Sequence, residues 1–126
     1  MTKQQIAARS GLELAFVGDA VYELFIREHL VQKAPNTVGA LQQASSLYAR
    51  ATQQCEAYWR IEPLLNETEQ AVFLRGRNAK PKSVPKNASP GEYAAATGFE
   101  AVIGYLYLSG QHDRLQTLLN EIHTFE

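Results

Sequence analysis

Residues 12–25 read LELAFVGDAVYELF, and this is the stretch that decides the fold. Its apolar side chains recur every three or four positions, at Leu14, Val17, Val21, Leu24 and Phe25. This spacing places them on one face of a helix, so the sequence predicts a helix from about Leu12 to Lys33 that Pro35 ends. The same stretch contains an acidic residue, Asp19, directly after a mid-helix glycine, Gly18.

Helical spacing extends over most of the remaining chain, and no segment shows the alternation typical of a strand. The sequence predicts four more helices, at about Thr37–Arg60, Asn66–Arg75, Glu92–Leu108 and from Asp113 onwards. We expect Gly76 to end the third helix in a left-handed conformation. The periodicity stops between Arg77 and Gly91, where three prolines predict a long loop. The predicted fold class is an all-α helical bundle.

The size and composition of the chain limit the classes of protein to which it can belong. It has 126 residues, of which 45% are hydrophobic, so we expect residues 1–126 to form a single domain. Its one cysteine, Cys55, cannot form an internal disulfide, which favours a reducing compartment. The N-terminus lacks the apolar core of a signal peptide, and no apolar run has the roughly 20 residues that a membrane span needs. We therefore expect a cytoplasmic protein that does not associate with membranes.

The charge of the chain is distributed unevenly. The net charge is −1, but residues 74–87 contain five basic residues and no acidic ones, which leaves −6 on the other 112 residues. A solvated basic loop is one interpretation. The alternative is that the loop binds RNA phosphates or sugars through Arg75, Arg77, Asn78, Lys80, Lys82, Lys86 and Asn87. The loop contains no aromatic residue, so contact with a duplex backbone is favoured over the stacking of single-stranded bases.

Two acidic residues occupy unusual positions in apolar helices. Asp19 lies in residues 12–25, and Glu100 lies in TGFEAVIGYLYL, residues 97–108. Each can be a surface residue or pair with an arginine. Burial of an unpaired carboxylate is unfavourable, however, and two such residues favour a shared site. If the two helices pack together, Asp19 and Glu100 can hold Mg²⁺, which prefers one or two carboxylates together with waters and phosphate oxygens. Glu23 lies one helical turn after Asp19 on the same face.

The two acidic segments resemble the motifs of the ribonuclease III family. LELAFVGDAVYEL is similar to the first motif of that family, and FEAVIGYLYL is similar to the second. The chain length and the RGRNAK…PKN loop resemble Mini-ribonuclease III, the branch without a double-strand RNA-binding domain. The resemblance implies a ribonuclease III endonuclease-like fold in which Asp19 is the catalytic aspartate and Glu100 is a metal-binding glutamate.

The resemblance is incomplete at three positions where ribonuclease III carries acids. These positions are Leu12, Ala15 and Thr97 in this chain. The number of metal ions and the full ligand set are therefore open. Our hypothesis is that Glu23 replaces part of the missing ligand set.

The resemblance also implies a biological role. It implies a symmetric homodimer with Mg²⁺ as cofactor, which hydrolyses double-stranded RNA and matures the ends of 23S ribosomal RNA precursors. A large-subunit ribosomal protein is an implied partner. The alternatives are a catalytically inactive dimeric protein for RNA binding or ribosome assembly, and a helical interaction module with no RNA role.

Overall fold

The computed structural model describes residues 1–33, 37–79 and 88–122. These ranges contain seven α-helices and no strand, which confirms the all-α prediction. The helices are α1 (Lys3–Ala7), α2 (Gly11–Lys33), α3 (Val38–Tyr48), α4 (Ala51–Ile61), α5 (Glu67–Arg77), α6 (Pro90–Leu108) and α7 (His112–Ile122), and a 3₁₀ turn spans Glu62–Leu64. No helix in the described ranges has both the length and the apolar character needed to cross a membrane.

Helix α6 is the centre of the bundle and packs against α2, α4, α5 and α7. It is apolar on all sides, as expected for a helix that is surrounded by others. Its side chains at Phe99, Val102 and Ile103 are fully buried. The ring of Tyr22 from α2 meets that of Phe99 edge-on, with centroids 5.1 Å apart. The helix begins at Pro90 because Ser89 and Glu92 form a reciprocal cap, in which each side chain accepts from the backbone N–H of the other.

Helices α2 and α6 cross at two glycines, and their backbones are in contact there. A Cβ added to Gly18 would overlap the carbonyl oxygen of Glu100 and would lie 2.9 Å from the backbone nitrogen of Gly104. A Cβ added to Gly104 would overlap the carbonyl oxygen of Leu14 and would lie 2.9 Å from the backbone nitrogen of Gly18. Because backbone atoms cannot rotate away as a side chain can, this crossing requires glycine on both helices.

The predicted single helix over Thr37–Arg60 was wrong. The structure has two helices there, because Ala49 ends α3 and Arg50 adopts an extended conformation (φ −66°, ψ 142°) before α4 begins. No glycine or proline marks the break, and the apolar spacing continues through it. Packing of α4 against α6 therefore sets a turn that local sequence does not encode.

The prediction for Gly76 was also wrong. This glycine lies inside α5 and is buried, and a Cβ there would lie 2.8 Å from the Cβ of Ala101 on α6. Close packing, and not a left-handed turn, accounts for it. Within the described ranges, positive φ occurs at Gly110 (φ 74°), between α6 and α7. The predicted loop over Arg77–Gly91 is helical at both ends, and its middle, residues 80–87, lies outside the described residues.

The substitution Gly104→Ala is expected to destabilise the protein by about 3 kcal/mol, since the added methyl group must displace the backbone of α2. Gly39→Ala is the matched control, because Gly39 lies in α3 and a Cβ added there would have no other atom within 4 Å. It should be neutral or stabilising by about 0.5–1 kcal/mol. Urea denaturation followed by circular dichroism measures both, and equal midpoints for the two variants would contradict the close crossing.

Candidate active site

A cleft of about 740 Å³ lies between α2, the N-terminal end of α4 and α6. The site centres on three polar side chains of the cleft lining, one from each helix. They are Asp19 from α2, Gln54 from α4 and Glu100 from α6. Arg50, which precedes α4, also lines the cleft and supplies its cationic side chain. The α2–α6 crossing produces this arrangement, because Asp19 follows Gly18 and Glu100 lies one turn before Gly104.

The carboxyl groups of Asp19 and Glu100 line the same cleft and interact closely enough for Asp19 to affect the ionisation of Glu100. Such a contact between two carboxyl groups requires a shared proton or a cation, since two adjacent negative charges repel. Burial, followed by the hydrogen bond and the charge of Asp19, raises the pKa of Glu100 to about 9. Glu100 is therefore protonated at neutral pH in the metal-free protein. The predicted meeting of the two acids thus takes place in the structure.

Gln54 is a member of this cluster that sequence reasoning missed. Its side-chain Nε2 donates to Oε2 of Glu100 over 3.3 Å, and the residue is 3% exposed. One signal was available in the sequence. Gln54 is spaced to share a helical face with Ala57, Tyr58 and Ile61, which are all buried. A polar side chain on an apolar face is the same anomaly that identified Asp19 and Glu100.

Tyr22 forms the buried wall beside the two acids. It is 2% exposed, and burial, together with nearby Tyr48 and Glu100, raises the pKa of its phenol group. The phenol therefore stays protonated throughout the physiological range. Tyr22 can supply a neutral hydroxyl near Glu100, but it cannot supply a negative charge.

The three positions at which family acids are absent all line the cleft. Leu12 is partly exposed, Ala15 is buried, and the buried Thr97 donates its hydroxyl to the carbonyl oxygen of Tyr93 over 3.0 Å. The side chains at these three positions are uncharged. Asp19 and Glu100 suit a Mg²⁺ site, since magnesium is often held by one or two carboxylates and completes its octahedral shell with water and phosphate oxygens.

Glu23 lies next to this cluster but is engaged elsewhere. Its Oε1 accepts from Arg27 over 2.9 Å in an exposed ion pair. It lines a small recess that also includes Asp19, Tyr22 and Gln54. Across residues 1–33, 37–79 and 88–122, no three acidic, histidine or cysteine side chains gather closely enough to hold a metal ion. A ligand role for Glu23 stays a prediction.

The predicted RNA-binding residues fall into two groups. Arg75 donates to the backbone carbonyl oxygens of Ala7 and Arg9, which ties α1 to α5, while the exposed Arg77 donates to Asn78 over 3.3 Å. The remaining four, Lys80, Lys82, Lys86 and Asn87, lie outside the described residues. Ala88, which directly follows them, lines the cleft.

Comparison with known proteins matches this chain to one family. Residues 12–111 match the ribonuclease III domain. The chain is 47% identical to the Mini-ribonuclease 3 of Symbiobacterium thermophilum, over 90% of this chain and 88% of that protein. It is 43% identical to the Mini-ribonuclease 3 of a Thermoanaerobacter species, over 94% of this chain and 84% of that protein.

A solved structure shares the fold of this chain. The crystal structure of a protein from Fusobacterium nucleatum has a TM-score of 0.82 to this chain at 32% identity, and the match covers 90% of each chain. The match over residues 12–111 confirms the resemblance to the ribonuclease III family. The chain belongs to the ribonuclease III family, within its Mini-ribonuclease III group.

Proposed function

We propose that the chain hydrolyses double-stranded RNA with Mg²⁺ held by Asp19 and Glu100. Family membership makes it an endoribonuclease, and the pair of acids that lines one cleft is the observation that carries the proposed chemistry. Bound Mg²⁺ supplies positive charge that favours deprotonation of the attacking water and offsets negative charge on the phosphate.

The residues of the chain have distinct roles in this proposal. Glu100 would hold the metal ion in its ionised form, because a ligating carboxylate must be deprotonated. Asp19 provides the second carboxylate and orients the attacking water. Since Leu12, Ala15 and Thr97 carry no charge, the two carboxylates together balance one divalent cation. Arg50 lies in the wall of the same cleft, where its guanidinium can contact a phosphate next to the cleaved bond.

RNA binding in this proposal depends on phosphate contacts outside the cleft. Arg75, Arg77 and Asn78 at the end of α5 lead into the basic segment that contains Lys80, Lys82, Lys86 and Asn87. We propose that this segment follows the backbone of the duplex. If residues 1–126 are a single catalytic domain with no separate RNA-binding domain, binding should be weak and strongly dependent on salt.

A homodimer is the proposed assembly. Helix α2 exposes several large apolar side chains, namely Leu12, Phe16, Leu24 and Val31, and Phe16 is 81% exposed. A second copy of the chain would remove this surface from water.

The proposed substrate is the 23S ribosomal RNA precursor in the cytoplasm, with a large-subunit ribosomal protein as a partner. The alternative is a catalytically inactive dimer for RNA binding or ribosome assembly. The absence of family acids at Leu12, Ala15 and Thr97 supports this alternative.

Asp19→Asn is expected to abolish cleavage of duplex RNA in Mg²⁺ while leaving the fold and RNA binding intact. The amide keeps the size of the side chain but cannot act as an anionic ligand, and the rate should fall by at least about 10³-fold, as for loss of a central catalytic group. Asp113→Asn is the matched control at an exposed site on α7. A gel assay with and without Mg²⁺ measures cleavage. If wild type binds duplex RNA but never cleaves it, the inactive alternative is favoured.

Glu100→Gln is expected to change how stability depends on pH in metal-free protein. The pKa of Glu100 is about 9 in the folded state, above its ordinary value of 4.5, so the folded protein keeps a proton that the unfolded chain releases. The free energy of unfolding therefore falls as pH rises from about 4.5 to about 9, by on the order of 3 kcal/mol at pH 7. Glu100→Gln should remove this fall.

The measurement is urea denaturation in EDTA from pH 5 to pH 9. Glu121→Gln, at an exposed position on α7, should behave as wild type. Parallel stability curves for wild type and Glu100→Gln would contradict the shared-proton pair.

Glu23→Gln tests whether this residue completes the ligand set. If it does, directly or through water, the Mg²⁺ concentration for half-maximal cleavage should rise about tenfold, as for other residues that support metal ligands. Glu28→Gln on the same helix is the control, since Glu28 is exposed. Unchanged Mg²⁺ dependence in Glu23→Gln would exclude the role.

A further inference from the structure

We infer that Gln54 is a positioning residue of this active site: its amide holds one oxygen of Glu100 so that the other oxygen is presented to the metal ion. This inference rests on the proposed function. The contact joins residues 46 positions apart and links the N-terminal half of α4 to the middle of α6. Gln54 lies outside both acidic motifs, yet it lines the same cleft as Asp19 and Glu100.

The burial of Gln54 requires an explanation. The residue is 3% exposed on a helix face that is otherwise apolar, with Ala57, Tyr58 and Ile61. A leucine or methionine would fill the same volume without the cost of burying an amide. The amide is satisfied by its contact with the carboxylate, and replacing one partner would leave the other unpaired. The buried amide of Gln54 is therefore accounted for by its contact with Glu100.

The chemistry of the amide suits this role. A carboxylate has two oxygens, and the donated hydrogen bond occupies Oε2, so Oε1 is left for ligation. The amide is neutral, so it does not repel a cation as lysine or arginine would. It also adds no third negative charge beside Asp19, as glutamate would. Glutamine can therefore orient a metal ligand without changing the charge of the site.

The position of Gln54 is itself fixed by packing. Its backbone N–H donates to the carbonyl oxygen of Arg50 over 3.0 Å, which is the first hydrogen bond of α4. One turn further along, the ring of Tyr58 stacks on Phe73 of α5, with centroids 3.8 Å apart and planes 7° from parallel. The break between α3 and α4 therefore orients α4 so that Gln54 contacts Glu100. The Tyr58–Phe73 stack fixes the position of α4.

The test compares Gln54→Met with Gln53→Met. Methionine keeps the length of the side chain but cannot donate, and Gln53 is the exposed neighbour on the same helix. The first readout is the binding of Mn²⁺ to metal-free protein by calorimetry, without RNA. Gln54→Met should weaken Mn²⁺ binding about tenfold, and Gln53→Met should leave it unchanged.

The second readout is the cleavage of duplex RNA. Gln54→Met should lower kcat about tenfold or more and raise the Mg²⁺ requirement, with KM for RNA unchanged, since the metal ligand and not the RNA surface is altered. Gln54→Met should remain folded by circular dichroism at the assay temperature, so a lower kcat with unchanged KM separates positioning from a purely structural role. Wild-type Mn²⁺ affinity and kcat in a folded Gln54→Met variant would overturn the inference.

A second variant covers the case in which Gln54→Met does not fold. Gln54→Asn keeps the polar amide but withdraws it from Glu100 by one methylene group. It should fold and show the same loss of Mn²⁺ affinity, and wild-type affinity in this variant would overturn the inference. If wild type binds Mn²⁺ but cleaves no duplex RNA, the proposed function fails while the calorimetric comparison still decides the role of Gln54.

Discussion

The backbone contact between α2 and α6 is the constraint on which the rest of the structure depends. Gly18 and Gly104 leave no side chain between the two helices, so carbonyl and amide groups of one approach the backbone of the other. Asp19 and Glu100 are adjacent to this crossing, and their placement follows from it. A larger residue at either glycine would separate the helices and, with them, the two carboxylates.

This crossing brings together groups that oppose folding. Glu100 is partly buried and lies beside Asp19, which is itself exposed; burial and the neighbouring acid raise the pKa of Glu100 to about 9. Gln54 acts in the opposite direction, because its amide stabilises the ionised form of Glu100. The metal-free protein therefore keeps Glu100 protonated at neutral pH, and a bound divalent cation would favour its ionised form. Active sites commonly hold such unfavourable groups within a fold that is stable elsewhere.

Much of the fold and the two central acids could be predicted from sequence, for physical reasons. The apolar spacing of α2 and α6 is strong, and Asp19 and Glu100 are conspicuous because a charge inside an apolar helix is rare. The break at Arg50 and the packing role of Gly76 could not be predicted, since contacts with α6 decide both. Gln54 was missed for the same reason: its partner is 46 residues away, and a continuous helix over 37–60 does not direct it to Glu100.

We propose that the α2–α6 crossing places Asp19 and Glu100 so that they share one metal ion. The most direct measurement is anomalous X-ray scattering from crystals of the protein grown with Mn²⁺ at a pH above 7. We expect one Mn²⁺ peak in the cleft, at about 2.0–2.3 Å from a carboxylate oxygen of each residue. A peak that contacts only one of the two carboxylates, or a cation bound elsewhere with the cleft empty, would contradict it.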